Sequence, residues 1–282
     1  MTKIDEQGVD SRRREIEQQQ KRLQERMGRV AHKIAVLSGK GGVGKSTVAA
    51  NLAVALALAD RKVALLDADI HGPSVPRILN LEGKHPLSDG ESIKPVSHSK
   101  NLKVMSIGFM LEGRDDALIW RGPLKMGVLR QFLADVDWGE EDYLIVDLPP
   151  GTGDEPLSIC QLIPQMDGGI VVTTPQELAL ADVRKCINFC RSVGLPVLGV
   201  IENMSGFLCP HCGAKVEIFG EGGGEQMAAQ MNAPFLGRIP IDLDVVRSCE
   251  ADVPYVQRFT DTATARGFAA VSEAVLKLED RS

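Results

Sequence analysis

A glycine-rich stretch near the start of the chain carries the first residues whose types and spacing could do chemistry. It reads Gly39-Lys40-Gly41-Gly42-Val43-Gly44-Lys45-Ser46-Thr47 and fits the pattern G-x-x-x-x-G-K-[ST]. Its glycines let successive backbone N–H groups turn toward a phosphate, and a helix opening near Lys45 adds the partial positive charge of its N-terminus. In this pattern Lys45 contacts the β- and γ-phosphate oxygens and Ser46 ligates Mg²⁺. We therefore predict a loop that binds a nucleoside triphosphate.

A second loop, which begins with an aspartate, is expected to complete the magnesium site. The apolar run Tyr143–Asp147 leads into Leu148-Pro149-Pro150-Gly151-Thr152-Gly153-Asp154. An aspartate at a strand end is usually a cap, but downstream of a phosphate loop it is typical of the Walker B arrangement. Asp147 then holds Mg²⁺ directly or through water, and the glycine-rich turn behind it is free to sense the γ-phosphate.

Two closely spaced cysteines form a separate candidate site. The stretch Cys209-Pro210-His211-Cys212-Gly213 is predicted to lie at the tip of a hairpin at about residues 205–220. Thiolates at this spacing chelate a metal or bind a cluster, but the pair supplies only about half of the ligands that a closed site needs. The same pair from a second subunit, related by a two-fold axis, would complete the set. An iron–sulfur cluster, a zinc ion shared between subunits and a redox dithiol all remain open on these residues.

These motifs must be positioned by short apolar runs that alternate with helical stretches. The predicted strands are Lys33–Ser38, Lys62–Asp67, Leu102–Ile107, Tyr143–Asp147, Gly169–Thr174, Val197–Glu202 and Phe235–Ile239. The predicted helices are Lys45–Ala59, Leu124–Asp135, Leu178–Val193, Glu225–Met231 and Thr262–Leu278. Such alternation predicts an α/β fold with a doubly wound, mostly parallel sheet, which binds ligands at the carboxyl ends of its strands.

The beginning of the chain has a different pattern and is predicted to lie outside this domain. Residues 1–30 are interpreted as a polar helical extension, and residues 31–282 as one P-loop ATPase domain. Ile16, Leu23, Met27 and Val30 form a thin apolar stripe at helical spacing. We expect a solvated helix that docks weakly or serves a partner.

Composition and charge narrow the classes of function. The 282 residues carry 32 Lys and Arg against 38 Asp and Glu, a formal net charge of −6, which argues against a nucleic-acid binder that depends on positive charge. The longest apolar run, Leu52 to Ala59, is far shorter than the roughly 20 residues that span a bilayer. The first residues match neither a signal peptide nor a transit peptide, so we expect a cytoplasmic protein without a membrane or nucleic-acid partner. The cysteines outside the close pair are predicted to be reduced core residues: Cys160, Cys186, Cys190 and Cys249.

Lys40, directly after Gly39, makes the phosphate loop resemble the deviant Walker A motif of the nitrogenase-reductase/MinD/ParA group, which are P-loop NTPases of the SIMIBI type. The resemblance implies that Lys40 reaches across a homodimer to the nucleotide of the partner. The stretch from Asp67 to Pro73 looks like the group's first switch, in which Asp69 positions or activates the attacking water. Asn203 matches the position that hydrogen-bonds adenine in this group, so the prediction of an adenine rather than a guanine nucleotide depends on the resemblance.

The order of the motifs from Gly39 to Cys212 closely resembles the Mrp/ApbC-type iron–sulfur cluster carrier ATPases. The resemblance implies a homodimer that binds a labile [4Fe–4S] cluster between subunits through Cys209 and Cys212. Such a protein hydrolyses ATP slowly and passes the cluster to apo iron–sulfur proteins, with a cluster-assembly scaffold as a further partner. We also hypothesise that ATP binding shifts the dimer through the loops after Asp67 and Asp147. This shift would change how tightly the two cysteine pairs bind the cluster.

Two alternatives remain from the sequence. A MinD- or ParA-like spatial-organising ATPase would carry no metal and would need a basic amphipathic terminal helix or a basic DNA face, which only the Arg-rich N-terminal segment could supply. A zinc-bridged scaffold ATPase would use the same cysteine pair without a labile cluster.

Overall fold

The computed structural model describes residues 3–110, 122–209, 211–248 and 253–277. The α-helices are α1 Lys3–Met27, α2 Lys45–Leu58, α3 Val75–Ile78, α4 Gly122–Asp135, α5 Asp154–Leu162, α6 Glu177–Ser192, α7 Gly223–Gln230, α8 Leu243–Ser248, α9 Tyr255–Arg258 and α10 Ala263–Leu276. The strands are β1 Val30–Leu37, β2 Val63–Asp67, β3 Leu87–Ser88, β4 Ile93–Lys94, β5 Val96–Ser99, β6 Leu102–Ser106, β7 Glu141–Asp147, β8 Gly168–Thr173, β9 Val197–Leu208, β10 Lys215–Val216 and β11 Phe235–Ile241. Within these ranges, no helix has the length and apolar character needed to cross a membrane.

One large, mostly parallel sheet organises the described part of the chain. Its strands follow the order β10, β9, β8, β1, β7, β2, β6 and β5, and β11 also pairs with β9. The central pairs are parallel, whereas β5 with β6 and β10 with β9 are antiparallel. The predicted α/β fold is confirmed. Because β1, β2 and β7 are parallel neighbours, their carboxyl ends bring three loops to one edge.

Helices cover both faces of this sheet, which explains its continuous apolar strands. Ile34 and Val36 of β1 belong to a core cluster with residues of α2 and α10. Ala35 and Leu37, which alternate with them, belong to a second cluster with residues of α1, α4 and α5. A strand buried on both faces needs apolar side chains at every position, as parallel strands usually have.

The strand β9 is much longer than its predicted extent. The sequence predicted its end at Glu202, but the strand continues to Leu208. The predicted end was wrong because the polar and glycine-containing stretch 203–206 looks like a turn. The chain instead passes through an irregular segment, with Met204 at φ 58° and Gly206 at φ 72°, and stays paired with β11 as far as Phe207.

The end of the N-terminal helix α1 is more deeply buried than predicted. Leu23 and Met27 are fully buried in the cluster that also contains residues of α4 and β7, while Ile16 is 49% exposed. Arg22 forms an ion pair with Asp135 at the end of α4. The expectation of a solvated helix is therefore wrong for the last two turns of α1, whereas the strength of its docking stays a prediction. Val30 is not helical either, since it begins β1.

Candidate functional site

The phosphate loop lies between the end of β1 and the start of α2. Gly42 and Gly44 have φ angles of 79° and 80°, which side chains rarely adopt. A Cβ added at Gly41 or Gly42 would meet no atom within 4 Å, so this part of the loop faces open space. Gly39 is needed for a different reason, because its Cβ would lie 2.4 Å from the Cβ of Asp182 on α6. The predicted loop thus has the local geometry that its glycines require.

A cavity of about 420 Å³ lies against this loop. Residues from five segments line it: the phosphate loop and the first turn of α2, Asp69, Arg77 on α3, Pro150 after β7, and Val246 on α8. Its volume is in the range of small-molecule pockets. The cavity joins the phosphate loop to both loops that the sequence predicted to sense or hydrolyse the nucleotide. Arg77 was missed because it belongs to no motif.

Lys45 and Asp147 form a buried ion pair at the base of the cavity. Lys45 Nζ lies 2.5 Å from Asp147 Oδ1 and 3.3 Å from Ser46 Oγ. Burial raises the pKa of Asp147, and the nearby Lys45 ammonium opposes that rise. Asp147 Oδ2 is buried and has no hydrogen-bond partner among the described residues. An unpaired carboxylate oxygen near a serine hydroxyl is a donor set that fits Mg²⁺.

Asp67 is a second buried carboxylate beside this pair. It lies opposite Asp147 in the β2–β7 register. Its Oδ2 accepts hydrogen bonds from Ser106 Oγ at 3.0 Å and from the Val75 backbone N at 3.2 Å. Burial, with repulsion from Asp147 as the next cause, raises the pKa of Asp67 to about 8. The sequence contained a signal for it, since a second apolar run ends in an aspartate.

Asp69 lies on the cavity wall in a compact turn. Its Oδ1 accepts hydrogen bonds from the backbone N–H groups of His71 and Gly72, both at 3.2 Å, and its own N–H donates to Asp67 Oδ1. His71 Nε2 in turn lies 3.2 Å from Oε1 of Glu155, which follows the glycine-rich turn after β7. The two predicted switch loops therefore touch each other beside the cavity.

Lys40 and Asn203 are not among the residues that line the cavity. Asn203 is buried, and its Nδ2 donates to the Val43 carbonyl at 2.9 Å, so β9 contacts the phosphate loop directly. Lys40 is half-buried, and its carbonyl accepts a hydrogen bond from Ser38 Oγ. The roles of Lys40 toward a partner subunit and of Asn203 toward adenine remain predictions.

The cysteine pair lies at the end of β9, where the chain turns back into β10. Leu208 pairs with Lys215, and the Cys209 N–H donates to the Ala214 carbonyl at 2.9 Å. Cys209 is half-buried and Cys212 is exposed. Backbone N–H groups of His211 and Cys212 hold the pKa of the Cys209 thiol below its usual range. Pro210 lies outside the described residues.

The other described cysteines have the opposite character. Cys186 and Cys190 are fully buried, as the sequence predicted, and burial raises the pKa of each to about 12. Burial likewise raises the pKa of Cys160 to about 11. Cys249 lies outside the described residues. Because the thiolate is the metal ligand, Cys209 is better suited to bind a metal than the buried Cys186 and Cys190 or the half-buried Cys160, whose thiol pKa values are raised.

Two ligands are all that this pair can offer. Within the ranges that the structure describes, no group of three or more His, Cys, Asp and Glu residues is arranged to hold a metal ion. Apolar side chains on and after the hairpin are exposed to solvent: Leu208, Val216, Ile218 and Phe219. A site built on this hairpin therefore needs further ligands from outside the described chain.

The chain is similar to known proteins along most of its length. Residues 29–276 match the family model of the NUBPL iron-transfer P-loop NTPases. The iron-sulfur cluster carrier protein of Methanocaldococcus jannaschii is 50% identical over 241 residues, which cover 86% of this chain and 83% of that protein. The nucleotide-binding protein of Archaeoglobus fulgidus, solved in complex with ADP, is 42% identical with a TM-score of 0.73, and the match covers 83% of this chain and 91% of that chain. The MinD cell division protein of Aquifex aeolicus is 22% identical with a TM-score of 0.64, over 87% of this chain and 97% of that chain, and shares the fold.

Proposed function

This chain belongs to the NUBPL iron-transfer P-loop NTPase family, and we propose that it is an ATP-dependent iron–sulfur cluster carrier. Its phosphate loop and its family make it a nucleotide hydrolase. The finer part of the proposal is that hydrolysis is slow and coupled to binding or transfer of a labile [4Fe–4S] cluster. The MinD likeness extends to the fold alone, so the spatial-organising alternative gains no support from it.

The thiol pair is the observation that carries this proposal. Cys209 and Cys212 lie on an accessible hairpin, and backbone donors favour the thiolate form of Cys209. A cargo that has to be released needs accessible ligands, whereas a structural metal site is usually closed. The described cysteines are all free, as expected in a reducing compartment such as the cytoplasm, where we place the protein.

A homodimer supplies the missing ligands. Two hairpins facing each other across a two-fold axis would present four thiolates, the set that a [4Fe–4S] cluster requires. The same contact would cover the exposed apolar side chains of Leu208, Val216, Ile218 and Phe219. Lys40 would then contribute to the nucleotide site of the partner, as the resemblance of its motif implies.

Nucleotide binding has to open the Lys45–Asp147 pair. Contact with the β- and γ-phosphates draws the Lys45 ammonium away from Asp147 Oδ1 and leaves Asp147 and Ser46 as oxygen ligands. These two residues would hold Mg²⁺, which would offset the charge of the phosphate oxygens. Asp69, held in its turn by two backbone donors, positions the attacking water. Slow turnover belongs to this proposal as what the resemblance of the motifs implies.

Anaerobic reconstitution tests the carrier function. Wild type, Cys209→Ala, Cys212→Ala and the matched control Cys160→Ala are incubated with iron and sulfide, desalted, and analysed by visible absorption and by iron and sulfide content. We expect clusters in wild type and in Cys160→Ala and none in the two hairpin variants. Hairpin variants that hold as much cluster as wild type would contradict the proposal. Zinc instead of iron in protein purified without oxygen would favour the zinc-bridged scaffold.

Transfer is tested with the loaded protein. It is mixed with an apo-enzyme that needs a [4Fe–4S] cluster, with and without ATP, and the recovered enzyme activity is followed. We expect activity to return faster than with free iron and sulfide. Recovery that is lost when a chelator traps free iron would mean that the protein stores and releases the cluster but does not deliver it.

A further inference from the structure

A single strand connects the nucleotide site to the cysteine hairpin. β9 runs from Val197 to Leu208, and Cys209 follows directly. Asn203, in the middle of this strand, donates its Nδ2 hydrogen bond to the Val43 carbonyl of the phosphate loop. The phosphate loop and the thiol pair are therefore separated by only a few residues of one strand.

The contact between β9 and the phosphate loop is close. A Cβ added at Gly44, where α2 begins, would lie 2.2 Å from Asn203 Nδ2 and 3.6 Å from Met204 Cε. Both side chains thus pack against the residue that supplies the N-terminus of α2. A movement of the phosphate loop at Gly44 would therefore press on Asn203 and Met204, because packed side chains leave little free space.

The next residues of β9 are irregular and strained. Asn203 pairs with Ile239 of β11 and Phe207 pairs with Ile241, so two steps along β11 span four steps along β9. Met204 has a φ of 58°, in the left-handed region where a residue other than glycine is strained. Gly206 has a φ of 72°. We call residues 203–206 the β9 bulge. Bulges with strained residues change the direction of a strand and are often found next to functional sites.

The bulge follows a firmly held residue. Glu202 is fully buried, and its carboxylate accepts hydrogen bonds from Ser205 Oγ and from the backbone N–H groups of Gly222 and Gly224. Beyond the bulge, Lys215 of β10 forms an ion pair with Glu221. Glu202 and the Lys215–Glu221 pair thus hold the chain on both sides of the bulge, so a displacement of Asn203 or Met204 at the phosphate loop would be concentrated in residues 203–206, shortly before Cys209.

We propose that the β9 bulge positions Cys209 and Cys212 according to the nucleotide state of the phosphate loop, with Met204 and Gly206 as positioning residues. The inference rests on the proposed function in taking this pair as the cluster ligands. It also differs from the hypothesis that the nucleotide acts through the loops after Asp67 and Asp147. The bulge gives a route within one chain that does not depend on the dimer contact.

The thiols themselves report on this coupling without any cluster. The full-length, cluster-free protein is treated with iodoacetamide under anaerobic conditions, with and without a saturating amount of a slowly hydrolysed Mg²⁺–ATP analogue. Peptide mass spectrometry gives the alkylation rate of Cys209 and Cys212. In wild type we expect the nucleotide to change the rate at Cys209 by about fivefold or more, the lower end of typical coupling between sites.

Two variants and one matched control test the route. Met204→Gly removes the side chain that packs on Gly44 and relieves the φ strain, whereas Gly206→Ala places a Cβ 3.3 Å from Lys215 Cε at a left-handed position. Gly194→Ala is the control, because Gly194 also has a positive φ of 71° but a Cβ there meets no atom within 4 Å. The nucleotide dissociation constant is measured for each variant beforehand.

We expect the nucleotide effect on Cys209 to persist in Gly194→Ala and to disappear in Met204→Gly and Gly206→Ala. If Met204→Gly no longer binds nucleotide, Gly206→Ala alone decides. A wild type without a nucleotide effect, or variants that keep the wild-type effect, would overturn the inference. A failed cluster reconstitution together with nucleotide-dependent alkylation would instead reject the carrier function and leave the coupling intact.

Discussion

Three buried ionisable groups meet behind the phosphate loop. Asp67 and Asp147 face each other on neighbouring strands, and Lys45 is the cation beside them. Burial raises the pKa of both carboxyls, and Lys45 opposes the rise in each. When Lys45 turns to the phosphates, the two carboxylates lose that support. We therefore expect a divalent cation and the nucleotide to bind together. The nucleotide draws Lys45 away from the carboxyl groups, and the cation balances the negative charge of these groups and of the phosphates.

Asp67 gives the protein a predicted pH dependence. Its pKa of about 8 in the folded chain lies above the value of about 3.9 in an unfolded chain, so the folded state binds more protons between these two values. The free energy of unfolding of the nucleotide-free protein should therefore decrease as the pH rises from about 5 to about 8 and then level off. Asp67→Asn should make this decrease shallower.

Thermal unfolding across this pH range measures the effect. Asp261→Asn, at a fully solvent-accessible carboxylate, is the control and should follow wild type. A flat wild-type curve, or a decrease in Asp67→Asn as steep as in wild type, would show that Asp67 is not a proton-binding group of the folded state.

Arg77 is predicted to bind the phosphate chain. It lines the cavity opposite the phosphate loop, and no ion pair is seen for its guanidinium within the described residues. Loss of a charge-assisted hydrogen bond to phosphate costs about 1.5–3 kcal/mol, so Arg77→Ala should weaken ATP binding by about tenfold or more. Calorimetric titration measures this, with Arg266→Ala, at an exposed arginine of α10 outside the cavity, as a control that should bind like wild type. Unchanged affinity in Arg77→Ala would exclude this role.

The sequence predicted some of these residues and missed others for a physical reason. Lys45, Ser46 and Asp147 are predictable because phosphate binding requires them at fixed places in a strand-loop-helix unit. Arg77 reaches the cavity only because the chain after β2 folds back as α3, which no local spacing encodes. The pKa of Asp67 likewise depends on the neighbouring strand rather than on its own segment.

The secondary-structure elements differ in how well the sequence predicted them. The central strands were predicted within a few residues, because burial on both faces leaves a continuous apolar run. β9 was cut short because its bulge contains Asn203 and Gly206, residue types that favour turns. The apolar stripe of α1 was recognised, but the spacing of Leu23 and Met27 alone does not reveal whether another surface covers them.

The buried end of α1 leads to a stability prediction. Leu23 is fully buried in the core, whereas Ile16 on the same helix is 49% exposed. Leu23→Ala should lower the free energy of unfolding by about 2–5 kcal/mol, the usual cost of a large-to-small core substitution. Ile16→Ala should have little effect, and chemical denaturation compares the two. Equal stability of both variants would mean that α1 docks only weakly, as the sequence alone indicated.

The whole chain carries its two sites on the same sheet. The phosphate loop follows β1, and the thiol pair follows β9, which is separated from β1 only by β8. The sequence predicted one sheet that carries both sites, but not the order of its strands. The proposed pairing of two chains was not predictable from core patterns, because it depends on surfaces. The incomplete ligand set of Cys209 and Cys212 is what indicates a second chain.

Native mass spectrometry under anaerobic conditions tests the central claim, that two chains hold one cluster between their hairpins. The reconstituted wild type is sprayed from a volatile buffer, and the mass of each assembly is assigned to chains and to cluster atoms. We predict a species of two chains with one [4Fe–4S] cluster, which Cys209→Ala and Cys212→Ala fail to form. A cluster bound to a single chain, or a cluster-loaded dimer that persists in both variants, would contradict the account.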